Sequence, residues 1–329
     1  MSNPLKNLTQ DKRAEYFLGA LAAGVAVFVY AMLIFIVVHG WPSFSYNGLH
    51  WFGGSASLDQ ELGNLYHSGM STQDPDKYDY TFHAWPLIWG TIVVCGTAAI
   101  LSFFFSLFTS IFVVEFAPQR VRAVVIPAIR LLAGVPSVVY GLIGVVVLVP
   151  WVTQHLVSQQ ILAETNYVVP LSGYNIAVGA LVLMMMIMPV MTSIFSDGLR
   201  SVPNLWKEGS MALGVSKFRT VWRVSLRAAR PALVAGTVLG IARAIGEAVM
   251  LAMVVAVAGW SPNPLDGWIF WLEPTRPLAS VILTSHDQVA APTVAATLFA
   301  VAAVLLVATM LLSFIGWMIK QPLKKYGIR

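Results

Sequence analysis

Five stretches of this chain, residues 16–38, 85–114, 131–154, 165–196 and 289–319, carry no charged side chain. A sixth, 231–257, is interrupted only by Arg243 and Glu247. A hydrocarbon core of about 30 Å needs roughly 20 apolar residues in helical form, and each stretch meets that length. With 57% of residues hydrophobic and 11% charged, the chain has more apolar surface than a water-soluble core of its size requires. A closed barrel would show short alternating segments rather than continuous runs such as 34–38 or 181–188. The reading is an all-α integral membrane protein with six transmembrane helices.

The first run exceeds the length of a signal-peptide core and reads as a retained anchor. Basic residues set the orientation. Lys6, Lys12 and Arg13 precede the first run, Arg120 and Arg122 follow the second, seven Lys or Arg from Arg200 to Arg230 follow the fourth, and Lys320, Lys324, Lys325 and Arg329 follow the sixth. The other three connections hold only Lys77 and Arg276 among many Asp and Glu. Both termini are therefore expected in the cytoplasm. The net charge of +5 follows topology and gives no basic soluble face for nucleic acid. The domain reading is a tail and first helix at 1–38, an external loop at 39–84, a core of five helices at 85–319 with a cytoplasmic loop at 196–230, and a tail at 320–329.

The external loop, rich in Gly, Ser, Asp and Tyr, reads as an irregular surface lobe. The six histidines lie in or beside external connections without the spacing of a metal site, and no metal is expected. Cys95 is the sole cysteine and reads as a packing residue, as do Met184, Met185, Met186 and Met188. The segment LLAGVPSVVYGLIG at 131–144 spaces Gly134, Ser137, Gly141 and Gly144 by three or four and contains Pro136. It reads either as a close packing seam or as a pathway-lining hinge.

Arg243 and Glu247 are the pair to explain, because a charge at membrane depth is costly and marks function by default. Four residues apart on a helix, they share a face and can pair. The guanidinium fork matches oxyanions two oxygens at a time, so an inward-facing Arg243 offers a transient site to a dehydrated anion. Glu247 then balances the arginine in an empty pathway or accepts a hydrogen bond from a protonated oxygen. The bland alternative is a buried ion pair orienting two helices.

The cytoplasmic run from Pro203 to Pro231 opens with a short helix pattern placing Leu205, Gly209, Ala212 and Leu213 on one face, closed by Gly214. It reads either as a plug for another protein's groove or as an amphipathic helix on lipid headgroups. Glu208, Gly209, Ala212, Leu213 and Gly214, with Pro231 downstream, resemble the EAA loop of ABC importer permeases. LLAGVPSVVYGLIG, IFVVEFAPQRVR at 111–122, the run ending MIMP at 186–189 and RAIGEA at 243–248 are similar to the first permease subunit of phosphate-specific ABC transporters, over about 85–317. The chain departs from that pattern at Gly209, Arg230, Arg130 and Ala248, and in its long first external loop.

The resemblance implies a type I importer permease (MetI-like) core in the inner membrane of a prokaryote, moving phosphate. It also implies a second related permease, a dimer of ATP-binding subunits docked at 208–214, and an external phosphate-binding protein. ATP and magnesium would belong to the ATPase, since this chain has no GxxxxGK[ST] loop and no cofactor of its own. Nearest alternatives are a permease for sulfate or molybdate and, further off, an ion-gradient transporter. An intramembrane enzyme lacks a nucleophile with an adjacent base.

Overall fold

In lipid a spanning segment must satisfy its backbone polar groups internally. The computed structural model describes residues 4–54, 57–72, 74–157, 171–256, 259 and 261–324, and within them the regular structure is helical. The elements are α1 (Pro4–Asn47), α2 (Leu58–Ser71), α3 (Trp85–Ile111), α4 (Gln119–Ala133), α5 (Ser137–Ile143), α6 (Val149–His155), α7 (Ile176–Arg200), α8 (Asn204–Ala212), α9 (Lys217–Thr220), α10 (Leu226–Ile245), α11 (Val249–Val254), α12 (Leu278–Thr284) and α13 (Pro292–Lys324). Three π turns join or extend them: Phe112–Phe116 after α3, Gly144–Leu148 between α5 and α6, and Val221–Ser225 between α9 and α10.

Six helices among the described residues are long and apolar enough to cross a membrane. The expected number is met, but several limits move. The first helix continues past residue 38 to Asn47, carrying Pro42 within it. The third span starts at Ser137 rather than 131, because Gly134 and Pro136 end α4 and restart the chain as α5. The fifth starts at Lys217, so Pro231 lies inside a helix rather than at its start, and it stops at Ile245. The beginning of the fourth run at 165–170 and the tail from 325 fall outside the described residues.

Helix α7 lies at the centre, with 61% of its apolar window buried, whereas that of α1 is not buried at all. Side-chain hydroxyls of α3 stitch it to α7: Ser102 donates to the Met184 carbonyl at 3.2 Å and Ser106 to that of Met188 at 3.0 Å. Lipid gives helices no hydrophobic reason to associate, so such bonds and close packing hold them together. Met186 is buried and Met185 faces outward, as packing residues do. Helix α1 meets the bundle through its later part, where Gly40 lies against α13. A methyl group there would come within 2.7 Å of the Ala300 nitrogen.

The loop at 39–84 is an ordered helical cap, not an irregular lobe. Ser57 caps α2 by accepting from the Gln60 N–H, and Leu58, Leu62 and Leu65 recur at helical spacing on its buried face. The polar residues Asp59, Gln60, Glu61 and Asn64 and Gly63 stand between these leucines, within a loop rich in Gly, Asp and Tyr, which is why the sequence looked irregular. Trp51, Phe82 and Ala84 complete a core with Leu278, Val281, Val294 and Leu298 from α12 and α13. Asn47 clamps the chain by donating to the Tyr80 carbonyl at 2.6 Å and accepting from the Phe82 N–H at 3.1 Å. His83 is held by Glu61 at 2.7 Å.

The segment from Pro262 to Leu278 braces the same end of the bundle. Trp89 of α3 donates to the Pro262 carbonyl at 2.7 Å, Ile176 at the start of α7 donates to the Glu273 carbonyl at 3.1 Å, and Leu278 donates to the Thr91 hydroxyl at 2.8 Å. Arg276 pairs with Asp59 of the cap at 2.7 Å. Glu273 is only 4% exposed. Burial pushes its carboxyl up to about 7, the Asn263 N–H bond pulling the other way and nearby Asp266 adding to the rise.

Two predictions follow from this end of the fold. Trp51→Ala removes the largest side chain of the cap core and costs about 3–5 kcal/mol, so limited proteolysis of oriented vesicles should cut within 48–84 far faster than in the parent. For Glu273, the unfolded carboxyl ionises near 4.5 and the folded one near 7. Its folded-state pKa is raised, so its contribution is complete below the lower value and disappears as pH climbs through the upper. Thermal stability should decline across that interval, and Glu273→Gln should flatten the decline.

Candidate functional site

Arg243 occupies the last turn of α10, where the carbonyl end of a helix favours a cation. At 1.5 Å per residue it lies about 20 Å along the helix from Arg230, the nearest preceding charge. The helix ends two residues later: the Gly246 N–H returns to the Ala242 carbonyl and the Glu247 N–H to that of Ala244, both at 3.3 Å. Beyond this break α11 begins, and Glu247 turns toward it, its Oε1 accepting from the Met250 N–H at 3.5 Å.

The expected Arg243 to Glu247 ion pair is therefore not formed. The four ion pairs among the described residues lie elsewhere. Four-residue spacing brings side chains together only along an unbroken helix, and Gly246 ends it between them. Arg243 is exposed and Glu247 half-buried, while their neighbour Ala244 is buried, its carbonyl accepting from the Cys95 thiol at 3.4 Å.

A second break stands beside the first. Between α4 and α5 the chain passes through Gly134, Val135 and Pro136, and the Tyr140 hydroxyl reaches back across the gap to the Leu132 carbonyl at 2.9 Å. Gly141 and Gly144 form the contact between the broken helices: a methyl on Gly141 would lie 2.8 Å from the Met253 sulfur, and one on Gly144 would lie 2.6 Å from Val254. Gly134 and Pro136 make the break, Ser137 opens the restarted helix half-buried, and Gly141 and Gly144 make the seam.

At the opposite, basic end, Asn204–Ala212 forms α8, followed by Gly214 at φ +79°, a conformation that suits glycine and few other residues. Leu205 and Leu213 are 78% and 85% exposed. Glu208, Gly209 and Ala212 are exposed too, so the face expected to meet a partner is uncovered. The other face docks on the bundle through Lys207, which donates to Glu115 at 2.7 Å, and Ser210, 3.0 Å from the Thr220 hydroxyl. Sequence reasoning missed Tyr140, Lys207 and Glu115. The first acts across a break and the other two meet from 92 positions apart. Among the described residues no three His, Cys, Asp or Glu side chains converge as metal ligands.

Comparison with known proteins fits this arrangement. The model of the binding-protein-dependent transport system inner membrane component family matches residues 106–320. The probable ABC transporter permease protein YqgH of Bacillus subtilis (strain 168) is 34% identical over 247 residues, 75% of this chain and 70% of that protein. The phosphate transport system permease protein PstC of Xylella fastidiosa (strain Temecula1) is 30% identical over 253 residues, 75% of this chain and 74% of its own length. In fold, the chain is similar to a bacterial alginate ABC transporter solved with an alginate pentasaccharide-bound periplasmic protein. That match has TM-score 0.53 and 12% identity, and it covers 94% of this chain and 97% of that one. Six apolar spans, paired helix breaks and a match over most of the length make this chain a member of the family of binding-protein-dependent transport system inner membrane components.

Proposed function

We propose that this subunit carries inorganic phosphate through an ATP-driven importer in the cytoplasmic membrane of a prokaryote, its basic end and both termini facing the cytoplasm. The observation that carries the reading is Arg243: a guanidinium without a carboxylate partner, exposed, at membrane depth and beside two interrupted helices. Unwound backbone at that depth is tolerated where it borders a cavity or protein rather than lipid. The fork of Arg243 takes two phosphate oxygens. Glu247 accepts from a protonated phosphate oxygen. Sulfate, which carries no proton near neutrality, cannot make that bond. The name of the PstC relative agrees with this substrate.

Energy enters from outside the chain. The uncovered face of α8, with Leu205, Glu208, Gly209, Ala212, Leu213 and Gly214, docks on one subunit of an ATPase dimer that holds ATP and magnesium. A second, related permease completes the conduit, and an external phosphate-binding protein delivers the anion at the end formed by the cap. Closure of the ATPase moves α8, and access to Arg243 switches from one side of the membrane to the other.

Arg243→Ala removes a charge-assisted contact worth about 1.5–3 kcal/mol. ATP-driven uptake of labelled phosphate in vesicles bearing the full complex should fall by about tenfold or more, with subunit assembly retained. Parental uptake, or equal competition by sulfate in the parent, would overturn the assignment. Gly214→Val forces a β-branched residue into a left-handed conformation at a cost of about 1–2 kcal/mol. The complex should then hydrolyse ATP while moving less phosphate per nucleotide, a ratio measured directly in proteoliposomes.

A further inference from the structure

The transport reading names α8 as the input and Arg243 as the site, but the two are far apart along the chain. Resting on that reading, we propose that the π turn Phe112–Phe116 at the basic end of α3 is the junction that distributes the motion of α8 to both broken helices, with Lys207 and Glu115 as its positioning residues.

The turn is built to be gripped. Its extra residue widens the helix, closed by the Ala117 N–H on the Phe112 carbonyl at 2.7 Å. Single π turns inside α-helices recur at functional sites because they free carbonyls and re-aim side chains. Here Arg122, in the first turn of α4, takes two of those carbonyls, its Nε donating to Val113 at 3.0 Å and its Nη2 to Val114 at 2.7 Å. Lys207 of α8 holds Glu115 at 2.7 Å. The Lys217 ammonium, at the start of the helix that ends near Arg243, sits 5.1 Å from the centre of the Phe116 ring.

Three cations from three elements therefore converge on five consecutive residues. One belongs to the helix proposed to receive the ATPase, one to the helix that leads into the break before Tyr140, and one to the helix that leads to Arg243. The Lys207 and Glu115 side chains are only 15% and 8% exposed. Exposed pairs are screened and contribute little, whereas a shielded pair leaves an uncompensated charge when one member is removed. Displacing α8 must carry Glu115 with it or break that contact. Ser210 against Thr220 adds a second tie between α8 and the helix leading to Arg243, directly before the Val221–Ser225 π turn.

The test uses the complete transporter in proteoliposomes, with Glu115→Gln, Lys207→Met and the exchange Glu115→Lys with Lys207→Glu. Co-purification of the ATPase, ATP hydrolysis and uptake of labelled phosphate are measured together. Each single variant should retain the ATPase and hydrolyse ATP, while phosphate moved per ATP falls by about fivefold or more, the lower end of coupling between distant sites. The exchange should recover much of that ratio. An unchanged ratio in both single variants overturns the junction while parental uptake keeps the transport reading standing. Loss of the ATPase in the single variants that the exchange does not restore makes the pair a structural brace and also overturns it. A parental complex that moves no phosphate on ATP sinks the transport reading, and this inference with it.

Discussion

A peptide group with no partner is expensive in hydrocarbon, so a helix that stops within a membrane must have something beside it other than lipid. This chain stops twice in adjacent places, at 134–136 and at 246–248. The Tyr140 hydroxyl adds a bond to the Leu132 carbonyl, which also accepts from the Val135 N–H at the first gap, and the Glu247 carboxylate answers an amide across the second. Between these repairs stands a guanidinium with no carboxylate of its own. Backbone irregularity and unbalanced charge are each unfavourable alone, and their coincidence concentrates the polar chemistry of the bundle at one level.

The remaining architecture keeps that level in place from both sides. At the acidic end, the Trp51 core and the segment through Glu273 tie the cap, α3, α7, α12 and α13 into one unit. At the basic end, the Phe112–Phe116 turn gathers Arg122, Lys207 and Lys217. Central α7 runs between the two, fixed to α3 by serine hydroxyls and by close packing rather than by a hydrophobic drive, which lipid does not supply.

Hydropathy made the six spans legible, because a bilayer demands a minimum apolar length and the chain meets it in six places. Arg243 was legible for the complementary reason: a charge within such a run stands out. The ends of the spans were not. The helix through Lys217 starts early because its first turns lie at the basic end, where charge is tolerated, so an uncharged window starts it too late. Gly246 carried the signal that α10 ends there, yet four-residue spacing suggested a salt bridge that requires the helix to continue. The cap leucines were spaced at helical intervals but diluted by turn-forming residues. Tyr140 with Leu132, and Lys207 with Glu115, depend on the folded chain bringing distant segments together, which no local pattern records.

The attachment of α1 has a consequence for how the subunit sits among lipids. Its close approach to α13 is at Gly40, where only a hydrogen fits against the Ala300 backbone, while nearly every side chain from residue 15 to 38 is exposed. The first helix thus touches the bundle along one side, through Gly40, His39 and Phe35 against α13, and turns its other sides outward. Among the described residues, α13 alone of the spans comes so close to it, so most of its circumference is left as the surface that lipid or another subunit covers.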